Sequence, residues 1–231
     1  MTYKQIYIEF ERRLQVMFPD MVVEKKPSSD LVLQYLNDGL NRFVTTRFTG
    51  LNYKRLGFEQ DQKRIDDLKS LVKEKTYDVD VNNYITLPDD YLHLLGETAY
   101  ITSADKCWPL EGNKPLIKQT DVLEATIENI DSKLANSLSE HHLHGNRARP
   151  LRLIKGNQIH LYTDGKYTVD SYKITYLKKP DAFTLDNPMY EYTDLPDYVI
   201  NEIINLAISI YLADKGDNRY QLAQNEVAQM E

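Results

Sequence analysis

The sequence predicts an α+β protein: a helical bundle formed by N- and C-terminal helices, with an antiparallel β-meander inserted between them. Three observations carry this expectation. Apolar residues recur at helical spacing near both ends of the chain. The period changes to two from Tyr77 onward, and turn signals punctuate the stretch from Leu151 to Lys179. Helices, then strands, then helices is the segment order of an α+β domain. The corresponding divisions are residues 1–76 as the first helical part, 77–180 as the β-rich insertion with an irregular excursion at 104–149, and 181–231 as the helices that complete the core.

Ile6, Phe10, Leu14 and Met17 fall at i, i+4, i+8 and i+11, one stripe of a first helix that Pro19 and Pro27 terminate. Ser28 or Ser29 caps a second helix with Val32, Leu36, Leu40 and Phe43 on its apolar face and Tyr35 and Val44 at the edges. Gly39 inside that helix marks either a close helix–helix approach or a simple penalty of up to about 1 kcal/mol. Gly50 and Gly57 punctuate a loop. A third helix is expected over residues 61–74, with Ile65, Leu68 and Val72 inward.

Tyr77-Asp78-Val79-Asp80-Val81 alternates polar and apolar residues, as a strand with one wet face does. Asn82-Asn83 makes a turn into Tyr84–Leu87, and residues 91–101 form a further strand. Residues 116–138 fit a helix only imperfectly. Leu151–Ile154 and Ile159–Tyr162 flank a hairpin turn at Gly156-Asn157, and Thr168–Leu177 adds the third strand of the meander. The next helix has Pro196 in its first turn and a broad apolar face from Val199 to Tyr211. Gly216 ends it, and Asp217 caps a last helix through Tyr220, Ala223, Val227 and Met230.

Composition narrows the function. The chain has 231 residues, 28 basic and 35 acidic, for a net charge of −7, so a strongly basic nucleic-acid footprint is absent from the whole. A single cysteine, Cys107, allows neither an internal disulfide nor a cysteine-based zinc site, and its neighbours Trp108 and Pro109 suggest that it is packed. No apolar run reaches the ~20 residues that span a bilayer. Glu9, Glu11, Arg12 and Arg13 interrupt any signal-peptide-like stretch, so the expectation is a soluble protein made inside the cell, with no membrane partner. Tyrosine supplies 17 residues, suiting half-buried subunit contacts or, equally, the exposed face of a sheet.

Candidates for chemistry are few. Glu140-His141-His142-Leu143-His144 is the one imidazole cluster, and it reads as a solvated loop more readily than as a metal ligand set. Asp164-Gly165-Lys166 fails as a phosphate loop, because His160 stands where a glycine is needed and Tyr167 follows the lysine. Asp78 and Asp80 would share a strand face, a geometry suited to a metal-dependent nuclease or to a charged edge strand. Arg147, Arg149 and Arg152, with Lys155, make a local basic patch that could touch phosphate or the acids of a neighbouring subunit. No catalytic residue, metal site or cofactor is expected.

Several segments, in order, carry a resemblance. They are Tyr35-Leu36-Asn37-Asp38-Gly39-Leu40-Asn41-Arg42-Phe43, Ile85-Thr86-Leu87-Pro88-Asp89-Asp90-Tyr91-Leu92 and Ile174-Thr175-Tyr176-Leu177-Lys178-Lys179-Pro180. Asp194-Leu195-Pro196-Asp197-Tyr198 follows, and then a long apolar helix that ends in Asp214-Lys215-Gly216-Asp217. The succession resembles the head-to-tail adaptor (tail-tubular) proteins of short-tailed bacteriophages, including ring proteins of crAss-like phages. It departs from simpler members in the excursion up to Arg149. The resemblance implies a non-enzymatic homo-oligomeric ring, a dodecamer, at the head–tail junction of the virion. There it would bind the portal protein and further tail or ring proteins and pass double-stranded DNA through its lumen without specific binding. Tyr220, Ala223, Val227 and Met230 are the expected partner-binding face of the last helix. Two other functions stay open: a phage metal-dependent nuclease or other nucleic-acid enzyme using Asp78, Asp80 and the His141–His144 loop, and a small intracellular binding module.

Overall fold

The computed structural model describes residues 1–17, 26–51, 55–80, 82–217 and 219–230, and Pro19 and Val81 fall outside them. The chain is mixed α+β and divides into two units, Met1–Leu71 with Pro180–Glu231, and Val72–Lys179. No helix among the described residues is long and apolar enough to cross a membrane.

The first unit is helical. Helix α1 (Tyr3–Met17) buries Ile6, Phe10 and Leu14. Helix α2 (Ser29–Thr49) begins at an N-cap Ser28, whose Oγ accepts from the Leu31 amide, and stops at Gly50, which takes the left-handed conformation with φ +76°. All six apolar positions assigned to its face are buried. Helix α3 (Gln62–Leu68) is shorter than the 61–74 expected: a 3₁₀ turn (Lys69–Leu71) ends it, and Val72 opens a strand. The charged Val72-Lys73-Glu74-Lys75 run has helix-forming composition, but it lies at an exposed sheet edge where tertiary pairing overrides propensity.

Helix α5 (Asp197–Asp214) is the axis of this unit, and Pro196 is its N-cap rather than a residue of its first turn. A Schellman motif closes it. The Gly216 amide donates to the Ala213 carbonyl and the Asp217 amide to Leu212, with Gly216 at φ +64°. Helix α6 (Tyr220–Met230) then packs back on α5. Gly39 resolves as a close approach, because a Cβ there would lie 3.1 Å from both Ala207 Cβ and the Ile203 carbonyl oxygen. Arg13 ties α1 to α5 through Asn205 Oδ1 at 2.5 Å and Asn201 Oδ1 at 2.6 Å.

Among its described residues, the second unit contains two four-stranded sheets and one short helix, α4 (Ile130–Ala135). The strands are β1 (Val72–Asp78), β2 (Tyr84–Thr86), β3 (Tyr91–Thr102), β4 (Leu110–Glu111), β5 (Lys114–Pro115), β6 (Lys118–Thr120), β7 (Leu123–Ala125), β8 (Leu151–Lys155), β9 (Gln158–Tyr162) and β10 (Thr168–Lys178). The orders are β1-β10-β3-β6 and β2-β9-β8-β7, with β4–β5 a separate ribbon. Every pair is antiparallel except β7–β8.

This corrects the expected meander. The β8–β9 hairpin forms, with Gly156 at φ +60°, but β10 leaves that sheet and pairs with β1 and β3. Ile85, Ile159 and Leu161 of one sheet share a core with Ala99, Ile101, Tyr172 and Ile174 of the other. Residues 116–138, which fit a helix only imperfectly, are a mixed stretch that supplies β6, β7 and α4. Cys107 is exposed, and the packed neighbour is Trp108, whose indole N–H donates to the Leu116 carbonyl at 2.7 Å.

Buried charges join three helices of the helical unit. Arg47 of α2 lies 3.2 Å from Asp67 of α3 and 2.7 Å from Glu202 of α5, and Lys63 reaches Glu202 at 3.2 Å. Burial pushes the Asp67 carboxyl above its ordinary range, against the pull of Arg47. A raised folded-state value means that the protonated acid suits the site, so this group's contribution declines as pH rises through that value. Replacing Arg47 by Met removes the opposing cation and widens the window. We predict that Arg47→Met costs about 3–5 kcal/mol at pH 8 and distinctly less near pH 5, measured by urea unfolding. An equal cost at both pH values would contradict this account.

Candidate functional site

The seven residues singled out from the sequence fall in two places, one in each unit. In the helical unit, the Schellman turn sends α6 back along α5, and Ala223 becomes buried inside its own chain. Tyr220 and Val227 line a groove of about 370 Å³ with Phe43, Leu51 and Leu206. The face of α6 assigned to a partner is thus the one turned toward α2 and α5, while Leu222 stands outward at 68% exposure. Met230 belongs to α6, but its side chain is outside the described residues. Leu51, at 78% exposure, forms part of the groove rim and carried no signal in the sequence.

In the β unit, the expected basic patch does not stay together. Arg152 is not a surface residue: it is 8% exposed, and its Nε donates to both Glu97 carboxylate oxygens at 3.2 and 3.1 Å. Glu124 lies 3.6 Å away on its other side, and Tyr172 donates its hydroxyl to Glu97. Burial, then the Glu97 charge, raises the Tyr172 hydroxyl far above its ordinary value, so it remains a donor. Because side chains alternate along a strand, Leu151 and Leu153 pack with Ala125 and Ile130 on one face of β8, and Arg152 projects from the other toward β3.

Arg147 and Arg149 remain near the surface, and the sequence missed their companion. Lys118 of β6, far away in the chain, lines the same cleft of about 500 Å³. Its Nζ donates to the Asn146 carbonyl at 2.8 Å and lies 5.4 Å from the Trp108 ring. Arg149 is held by Glu140 at 2.8 Å, and His144 closes a tight turn with Arg147 through Gly145, at φ +64°. Three cations, two of them held in place, against one carboxylate make a cleft suited to an anionic group.

The other candidates separate. His141 is buried rather than solvated, its ring 3.9 Å from that of His142, and burial followed by the His142 charge holds its pKa below the usual imidazole range. His142 faces Asp164 at 3.8 Å. Asp78 is the last residue of β1 and Asp80 lies beyond the strand, so the two do not share a strand face. Among the described residues, no group of three or more His, Cys, Asp or Glu side chains is placed to hold a metal ion. No family model matches the chain, and no curated protein matches it in sequence.

The arrangement therefore offers a groove of mixed apolar and polar lining, a cationic cleft and a buried arginine that organises the β unit. Removing that arginine strands Glu97 beside Tyr172. We predict that Arg152→Met lowers the melting midpoint of the β unit by about 6 °C or more, read by circular dichroism. An unchanged midpoint with weakened anion binding would return Arg152 to the surface role.

Proposed function

We propose that this chain is the subunit of a ring-forming head-to-tail adaptor, joining the portal of a short-tailed bacteriophage to its tail and surrounding the DNA exit channel. One observation carries the reading. The segments on which the resemblance rests are the structural punctuation of a helical unit built from both chain ends with a β unit inserted. The Tyr35–Phe43 run includes the close approach at Gly39. Pro180 begins the return to the helical unit, Pro196 caps α5 and Gly216 ends it.

The work of such a subunit is geometric. A contact between two different faces of identical copies generates a ring when its rotation closes, here twelve copies. The exposed Leu222 and the groove lined by Tyr220 and Val227 offer apolar surface for the portal protein or a tail protein. A charge of −7 on every copy disfavours adhesion to phosphate, so duplex DNA passes without being held. No bond is made or broken, and no cofactor is required.

Labelling the chain in particles tests the proposal. A gold-tagged chain is expected at one vertex, between head and tail, and a Leu222→Asp chain is expected to fold with an unchanged helical signal and to reach that vertex at least about tenfold less often. Absence of the native chain from particles would overturn the reading. Nicking of duplex DNA by purified chain with Mg²⁺ or Mn²⁺ would replace it with the nuclease, and a monomer never found in particles would favour the intracellular binding module.

A further inference from the structure

The first sheet of the β unit has a charged concavity beside each of its two edge strands, and the two are of opposite sign. Its order β1-β10-β3-β6 leaves β1 and β6 each paired on one side, three strand steps or about 14 Å apart. Beside β6 is the cationic cleft of Lys118, Arg147 and Arg149, with Glu140 its one carboxylate among the described lining residues. Beside β1 is an open groove of about 700 Å³ lined by Asp78, Asp80, Asp89 and Asp90, with Lys75 the one cation among its described lining residues. All four aspartates are exposed. The groove is shaped as well as charged: the Tyr176 hydroxyl donates to Asp90 at 3.0 Å, and burial followed by that hydrogen bond pushes Tyr176 up to about 12.

We infer that these two charged surfaces meet in one contact between copies of this chain, the exposed aspartate rim of the β1-side groove of one copy, with its Asp89-Asp90 turn, seating in the β6-side cleft of the next. Charge complementarity selects the occupant. A cleft of net positive charge on a chain of net −7 attracts other copies of that chain through their acidic surface, and the β1-side groove, with four aspartates against one lysine, is such a surface. The two halves are different surfaces, so the contact is heterologous and propagates in one direction. Each concavity repels surfaces of its own sign, so the junction forms only between complementary partners. Lys118 and Arg149 are already held by Asn146 and Glu140, so less side-chain freedom is lost when they dock. The inference rests on the adaptor reading for its biological setting and supplies that ring with its subunit contact.

The test is charge reversal in the full chain, followed by sedimentation. Wild type should self-associate at about 50 mM salt and dissociate at about 1 M, where screening shortens to roughly 3 Å. Lys118→Glu with Arg147→Glu, or Asp78→Lys with Asp89→Lys, should each weaken self-association at least about tenfold, with melting midpoints unchanged. Mixing the two reversed chains should restore association to within about threefold, because every junction then again joins opposite charges. Unaltered association in either reversed chain, or no restoration on mixing, overturns the contact. So does a wild type monomeric at every concentration, which leaves the adaptor reading to be decided by the particle label. Loss of duplex-DNA affinity in place of self-association on reversing Lys118 and Arg147 would assign the cleft to phosphate instead.

Discussion

Helix α5 imposes the constraint from which the architecture follows. It buries Val199, Ile200, Ile203, Ile204, Ala207 and Leu212 among others, more than one face of a helix holds. Each such side chain contributes roughly 1.5–3 kcal/mol only if it leaves water, so α5 needs neighbours on several sides. Helices α1 and α2 come from the start of the chain and α6 from its end. The backbones of α2 and α5 approach so closely at Gly39 that a side chain there would force Ala207 or Ile203 to move. A core that requires both chain ends makes everything between Leu71 and Pro180 an insertion, and the insertion must bury its own apolar surface. It does so between two sheets.

Each unit also contains a charged cluster taken out of water. Arg47, Asp67 and Glu202 join α2, α3 and α5, and Arg152, Glu97 and Tyr172 join β8, β3 and β10. Buried ion pairs seldom exceed well-packed apolar residues in stability, but breaking one leaves an uncompensated charge. Their effect here is positional: each arginine can be satisfied in one arrangement of its elements, which opposes sliding of helices or sheets past one another.

What could be read from the sequence was local. The Ser28 cap, the buried stripe of α2, the glycine turn of β8–β9 and the Gly216 stop each depend on residues within a few positions, and the structure contains them all. What could not be read was partnership. Alternation states which residues share a strand face but not which strand lies alongside, so the sequence pattern puts β10 beside β9, whereas it pairs with β1 and β3. Arg152 was hidden for the same reason. Both faces of β8 are covered, so an arginine between two buried leucines looked like a surface residue. The cationic cleft was half legible, because Arg147 and Arg149 are neighbours in sequence whereas Lys118 joins them only through the pairing of β6 with β3.

Function, on this account, is the shape that many copies adopt together. A helical unit with an outward apolar residue and a β unit with a cationic cleft and an acidic groove give one chain distinct surfaces, and a repeated heterologous junction between distinct surfaces makes a ring when its rotation closes. Electron microscopy of the assembled chain, with its symmetry determined from averaged end-on views, measures this most directly. The account predicts an annulus with a single rotation axis, about twelve copies and an open lumen. A dimer related by a two-fold axis, or an open filament of unlimited length, would contradict it.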